Sequence, residues 1–283
     1  MSLTIQQALA RATALRAVSD SYQLDTELLL AEALQTSREY VRTWPERVME
    51  PAAAQAFEAL LARRAMGEPL AYILGRKAFW DFQLQVNPHV LIPRPETELL
   101  VETALALVRQ GLCQAGHLVD LGTGSGAIAI ALARELPDSR ITAVDSSTEA
   151  LAVARQNAAR LALGNIAFQA GSWCEGLLPE SVDLLVANPP YVAPGDPHLA
   201  QGDLRFEPIQ ALVAANAGLG DIRAIVAQAR SVLRRHSWLL IEHGFDQGAD
   251  VATIFSENGF AQVAGKQDYA GHDRITLGQL EEK

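Results

Sequence analysis

Two periodicities share this chain. Over the first quarter, apolar residues recur at helical spacing: Ile5, Leu9, Ala12 and Leu15, then Leu24, Leu28 and Leu29, then Phe57, Leu60 and Leu61, with Pro45 and Pro51 punctuating between them. The pattern predicts a small helical bundle over residues 1–75, placed to recognise a substrate. From Tyr72 to Val90 aromatic and β-branched residues alternate with polar ones around Asp81, which predicts a hairpin. It forms a linker over residues 76–92. Beyond Pro93 the pattern changes. A helix over about residues 96–110 precedes short, almost unbroken apolar runs at residues 118–121, 141–144, 166–170, 182–187 and 238–242. Runs of this kind alternating with helical stretches predict an α/β domain over residues 93–283, a mostly parallel sheet with helices on both faces. Ser146 and Glu149 have the spacing of a capping box just after the second run. The last two runs, 261–264 and 274–277, flank a glycine-containing turn and predict a terminal antiparallel hairpin.

The ends of the apolar runs carry the candidate chemistry. The run at 118–121 feeds Gly122-Thr123-Gly124-Ser125-Gly126 and then a helix, a turn in which backbone can approach a nucleotide-like ligand closely. The next run ends at Asp145, where a carboxylate can accept both hydroxyls of a ribose. A ligand containing adenosine fits this pair. Gly122, Gly124 and Ala127 also satisfy the looser dinucleotide pattern, and Asp120 separates the two readings. A carboxylate there meets an ammonium group, such as that of S-adenosyl-L-methionine, but repels a pyrophosphate. The fourth run stops at Asn188-Pro189-Pro190-Tyr191, where two prolines stiffen the turn. Such a turn holds the Asn188 side chain and neighbouring carbonyls against a planar group bearing its own NH2, an amide or an exocyclic amine.

Asp-Leu-Gly-Thr-Gly-Ser-Gly at 120–126, a strand-ending Asp145 and Asn-Pro-Pro-Tyr in that order resemble the class I S-adenosylmethionine-dependent methyltransferases that act on planar nitrogens. Further segments narrow the resemblance: Gly67-Glu68-Pro69-Leu70-Ala71-Tyr72-Ile73-Leu74-Gly75, Leu91-Ile92-Pro93-Arg94-Pro95-Glu96-Thr97-Glu98, Phe206-Glu207-Pro208, Glu242-His243-Gly244 and Asp268-Tyr269-Ala270-Gly271-His272-Asp273-Arg274. Across nearly its whole length the chain is similar to the release factor glutamine methyltransferases, the protein-(glutamine-N5) methyltransferases of the HemK/PrmC family. The resemblance implies a Rossmann-like methyltransferase sheet behind the helical bundle. It also implies methyl transfer from S-adenosyl-L-methionine to the glutamine of the Gly-Gly-Gln motif in peptide chain release factors. It assigns Gly122, Thr123, Gly124, Ser125, Gly126, Asp145, Trp173 and Asn188 to the methyl donor, and Asn188, Pro189, Pro190 and Tyr191 to the glutamine. Trp173, following the third run, also reads from position alone as an indole able to stack on adenine or simply to cover the sheet edge. In the catalytic set, the Asn188 oxygen and the Pro189 carbonyl accept the two amide hydrogens and Tyr191 packs on the amide plane.

Asn-Pro-Pro-Tyr is shared with adenine-N6 methyltransferases, so a methyltransferase acting on RNA or DNA is the alternative enzyme. A module that binds its ligand without chemistry is the third reading. The formal net charge of -10 disfavours a broad phosphate-binding surface, so direct nucleic-acid binding is not expected. Cys113 and Cys174 lack metal-type spacing, which leaves no metal site and points to packing thiols in a reducing compartment. With no stretch long enough for a bilayer and no signal-peptide core, the expected location is the cytoplasm. Glu242-His243-Gly244 is read as structural, Arg94 and Glu96 as either pocket mouth or linker, and Asp268 with Arg274 as a structural ion pair.

Overall fold

A computed structural model describes residues 3–281. The chain divides into two compact units: residues up to Arg76 together with Pro197–Phe206, and Lys77–Asp196 together with Glu207 onward.

The first unit is helical. Its elements are α1 (Ile5–Leu9), running on as a 3-10 turn over Ala10–Leu15, α2 (Tyr22–Ala33), α3 (Arg38–Thr43), α4 (Pro51–Ala65) and α5 (Leu70–Leu74). Thr4 and Gln7 close a capping box that starts α1, and Pro51, rather than separating helices, is the first residue of α4, where its missing N–H costs nothing. Ile5, Leu15, Leu29, Phe57 and Leu61 meet in the core, while Leu24 is left exposed. Arg64 and Asp25 form a buried ion pair at 2.8 Å, and Arg64 also reaches Asp203 at 3.2 Å, which ties the Pro197–Phe206 segment into this unit. The hairpin expected from Tyr72 starts later. Residues 70–74 are helical, begun after Pro69 and stopped at Gly75 in the left-handed region (φ 68°), and the strands are β1 (Arg76–Phe79) and β2 (Phe82–Gln85).

In the second unit, α6 (Glu98–Arg109) is preceded by a 3-10 turn at Pro95–Thr97. Then follow β3 (His117–Leu121), α7 (Ala127–Glu135), β4 (Arg140–Asp145), α8 (Thr148–Arg160), β5 (Ile166–Ala170), β6 (Val182–Ala187), α9 (Gly220–Val232), β7 (Leu233–Glu242), α10 (Gly248–Glu257), β8 (Phe260–Gln267) and β9 (Asp273–Leu280). Among the described residues the seven strands make one sheet in the order β5-β4-β3-β6-β7-β9-β8, parallel except for β9, which runs antiparallel to both neighbours. Every residue of β3 and β6 is buried, as central parallel strands require. Alternation divides them between two cores: Leu118, Leu184 and Leu240 pack on one face with α6, α7 and the hairpin residues Phe79 and Phe82, and Val119, Leu185 and Leu239 pack on the other with α9 and α10.

The α8 cap differs from expectation. Ser147, not Ser146, is the N-cap, its Oγ accepting the Ala150 N–H at 3.1 Å. Ser146 instead lines a cavity. No helix among the described residues is long and apolar enough to cross a membrane.

Candidate active site

The strand order reverses between β3 and β6: the chain runs outward through β4 and β5, then returns to the other side of β3. In open α/β sheets a crevice forms there, beyond the carboxyl ends of the strands. A cavity of about 280 Å³ occupies this place, and Gly122, Gly124, Asp145, Trp173, Asn188 and Pro190 contribute to its wall. Loops after four separate strands thus bring these six predicted residues to one pocket, while Asp120, Thr123, Ser125, Gly126, Pro189 and Tyr191 lie outside its wall.

The glycine turn is tied to β4 by the Gly122 and Thr123 N–H groups, which donate to the Val144 carbonyl at 2.9 and 3.0 Å. Gly122 has a φ of 71°, and a Cβ there would lie 3.4 Å from the Trp173 ring, so a bare backbone lets the indole close over the loop. Asp145 accepts the Gly124 N–H at 2.8 Å through Oδ2 and the Ser147 N–H at 2.9 Å through Oδ1. Burial raises its pKa, and these backbone donors oppose the rise. Each oxygen retains a lone pair for a ligand hydroxyl.

Asp120 stands apart. It lies fully buried beneath the turn, where Oδ2 accepts from Thr123 Oγ1 at 2.6 Å and from the Ala129 N–H at 3.2 Å, while Oδ1 has no partner. Burial pushes its pKa up to about 7. An unpaired buried carboxylate oxygen costs free energy, and this one lies under the turn that borders the cavity. Thr123, Ser125 and Gly126 shape the turn from behind: Ser125 is buried with its carbonyl accepting from Asn157 Nδ2 at 2.9 Å, and Gly126 starts α7.

Asn188 is half-buried at the end of β6, and its Nδ2 donates to Thr97 Oγ1 at 3.0 Å. Pro189 is buried behind it. Tyr191 packs against the second core; burial pushes its hydroxyl's pKa upward, the charges of Glu242 and Glu96 add to the rise and those of Arg274 and Arg94 oppose it. The turn is braced from outside, because the Tyr191 carbonyl accepts from Gln247 Nε2 at 3.0 Å, and Val192 exchanges hydrogen bonds with Leu212 and Ala214. Gly218 presses on the same carbonyl. A Cβ there would sit 2.1 Å from the Tyr191 oxygen, at a φ of 87° that side chains rarely adopt. Gly218→Ala is therefore expected to displace the turn, lowering stability by about 1–3 kcal/mol and abolishing most turnover; wild-type melting and activity would contradict this reading.

Ile92 and Arg94 fold onto Glu207. Glu207, fully buried, accepts the Ile92 N–H at 3.0 Å and pairs with Arg94. Arg94 thus fixes the linker through an ion pair. Asp268 and Arg274 form an ion pair at 2.9 Å. His243 is buried between the Gly244 carbonyl and Thr276 Oγ1, both at 2.9 Å, and burial lowers its pKa. It is held as a structural residue. Two participants escaped the sequence reading: Asp221, whose carboxyl takes a hydrogen bond from the Trp173 indole at the cavity wall, and Thr97 behind Asn188. Cys113 and Cys174 are buried thiols with pKa values pushed up to about 12, inert as nucleophiles.

Known proteins resemble this chain over nearly its whole length. Residues 7–75 match the PrmC N-terminal domain model and residues 95–204 the methyltransferase small domain model. The release factor glutamine methyltransferase of Vibrio cholerae is 51% identical over 282 residues, covering 99% of this chain and 98% of that protein. The Pseudomonas aeruginosa protein of the same name is 51% identical, covering 92% and 94%. Among solved structures, a methyltransferase from Pyrococcus furiosus aligns with a TM-score of 0.52 at 15% identity, covering 78% of this chain and 98% of that one, a likeness of fold alone. The sheet is that of a class I methyltransferase, and the chain belongs to the release factor glutamine methyltransferase family.

Proposed function

We propose that the protein transfers a methyl group from S-adenosyl-L-methionine to the side-chain amide nitrogen of the glutamine in the Gly-Gly-Gln motif of peptide chain release factors. The observation that carries the reading is the orientation of Asn188: its NH2 is engaged by Thr97 behind it, so its oxygen is the end left for the cavity that its side chain lines. An acceptor at that place suits a guest with NH2 hydrogens to donate.

S-adenosyl-L-methionine supplies a methyl carbon made electrophilic by its sulfonium. The residues that fit its other groups are Asp145 for the ribose hydroxyls, Trp173 for the adenine face, Gly122 to Gly126 for close backbone approach, and Asp120 for the ammonium. The orphaned Asp120 oxygen supports that last assignment. A primary amide nitrogen is a weak nucleophile because its lone pair is delocalised into the carbonyl, so the residues around the glutamine act by orientation. The Asn188 oxygen and the Pro189 carbonyl take one amide hydrogen each, and Tyr191 limits the amide to one plane. As nitrogen gains positive character those two acceptors strengthen, which lowers the barrier selectively. The product amide then returns to neutrality by losing one proton, and an N-protonated amide is acidic enough to give it to water.

A release factor is a protein substrate, consistent with the formal net charge of -10, and neither direct nucleic-acid binding nor membrane association is part of this reading; the site of action is the cytoplasm. Incubation with isotopically labelled methyl donor and a release factor tests it. Label is expected on the loop glutamine by mass spectrometry of the digested factor. Label appearing on adenine of added RNA or DNA, with none on the factor, would replace this substrate with a nucleic acid.

A further inference from the structure

An asparagine side chain is nearly symmetric in shape, so nothing in Asn188 itself decides which end of its amide meets the substrate. A reversed amide would set NH2 against NH2, a donor facing a donor. The selection has to come from behind. Thr97 and Glu242 lie there, 4% and 1% exposed, on two segments of the chain that the proposed chemistry leaves without a task. Asn188 Nδ2 donates to Thr97 Oγ1 at 3.0 Å. Burial pushes the Glu242 carboxyl up to about 7; the Thr97 hydroxyl and the Asn188 side chain, which both hydrogen-bond to it, favour its charged form, as does Arg274, while Glu96 opposes it. The second carboxyl oxygen, Oε2, has no partner among the described residues.

The hydrogen-bonding direction of this chain is set by its last member. Above a pH of about 7, where the buried Glu242 is ionised, its carboxylate only accepts, so the Thr97 proton is directed to Glu242 and the lone pairs of Thr97 remain for Asn188. The end of the Asn188 amide that faces Thr97 and Glu242 is then necessarily the NH2. We propose that Thr97 and Glu242 are positioning residues that fix the Asn188 amide so that its oxygen, not its nitrogen, faces the incoming side chain, selecting a carboxamide over a carboxylate. This rests on the proposed methyl transfer at Asn188. Glutamine offers a hydrogen to that oxygen, whereas glutamate of the same length offers a second acceptor and is repelled.

Three variants separate this role from mere packing. Thr97→Val keeps the shape and removes the relay; Thr97→Ser keeps the hydroxyl; Glu242→Gln keeps the size but can donate, which lets the chain run in reverse and the amide turn over. We expect Thr97→Val and Glu242→Gln each to lower kcat by about 10–100-fold, the effect of losing one oriented hydrogen bond, with donor affinity within about twofold of wild type. Thr97→Ser recovers most of the loss. A structural defect would not move the second readout: a release factor carrying glutamate in place of the loop glutamine should inhibit Glu242→Gln about tenfold better, relative to the KM for the normal factor, than it inhibits wild type. If wild type modifies the loop glutamine and Glu242→Gln keeps both its kcat and its glutamate discrimination, the positioning role is wrong while the function stands. If wild type leaves that glutamine unmodified, the function itself fails. Should neither variant fold, proton exchange of the Asn188 side-chain amide in the wild type decides: exchange slower than in free asparagine supports the relay, and exchange at the free rate overturns it.

Discussion

Asn188→Ala is expected to lower kcat by about two to three orders of magnitude, the range seen when one preorganised hydrogen-bonding group is removed from a charge-developing centre. Donor affinity should fall far less, because Gly122, Gly124, Asp145 and Trp173 also line the cavity and remain in place. Single-turnover rates at saturating donor, alongside a donor Kd from calorimetry, separate the two. Asn188→Asp makes the stricter test. It restores an acceptor toward the cavity, yet turns its other oxygen toward Thr97 and the buried Glu242 carboxyl, where an NH2 now stands. Two carboxyls in one buried pocket cannot both ionise cheaply, so the aspartate variant should be as inactive as the alanine one and less stable. An active Asn188→Asp enzyme would mean that the asparagine merely shapes the turn.

Much of this architecture was legible because central parallel strands are buried on both faces and therefore appear as unbroken apolar runs. β6, central and buried throughout, falls where the run at 182–187 places it, and β5, an edge strand with no buried residue, still falls at 166–170. β7 extends back to Leu233 through Arg234, Arg235 and His236, polar residues that hide it from a hydrophobicity pattern. α3 was missed because it buries only Val41, and six residues give no periodicity to read. At Tyr72-Ile73-Leu74 the aromatic and β-branched content suggested a strand, but Pro69 and Gly75 at its ends enforce one helical turn. The site shows the same division. Gly122 and Asn188 announce themselves because each follows a strand directly, and Asp145 because it ends one. Asp221 beside Trp173, and Thr97 with Glu242 behind Asn188, depend on pairings between distant segments. No spacing along the chain encodes them.

The second large effect concerns Asp120, where stability and binding should move in opposite directions. Burial raises its pKa to about 7, whereas an aspartate in the unfolded chain titrates near about 3.9. The folded state therefore holds the proton more tightly. Between those two values the unfolded chain has released a proton that the folded protein still binds, so stability declines as pH rises from about 4 to about 7 and stays reduced above it. The full decline for this one group is about 4 kcal/mol. Glu242, raised to about 7 chiefly by burial, adds a decline of the same sign in the same window. Asp120→Asn keeps an oxygen for Thr123 and the Ala129 N–H but cannot ionise, and its NH2 occupies the place of the orphaned Oδ1. Without donor, the variant should melt higher than wild type at pH 8 and show a shallower fall in melting temperature between pH 5 and pH 8, the residual slope belonging to Glu242. With donor the order reverses. A carboxylate opposite an ammonium in a water-poor site contributes more than a neutral amide can, so donor affinity should weaken by about tenfold or more, and the melting shift on adding S-adenosyl-L-methionine should shrink accordingly. Equal pH slopes together with an unchanged donor Kd would show that Asp120 is already satisfied within the fold and serves the turn alone.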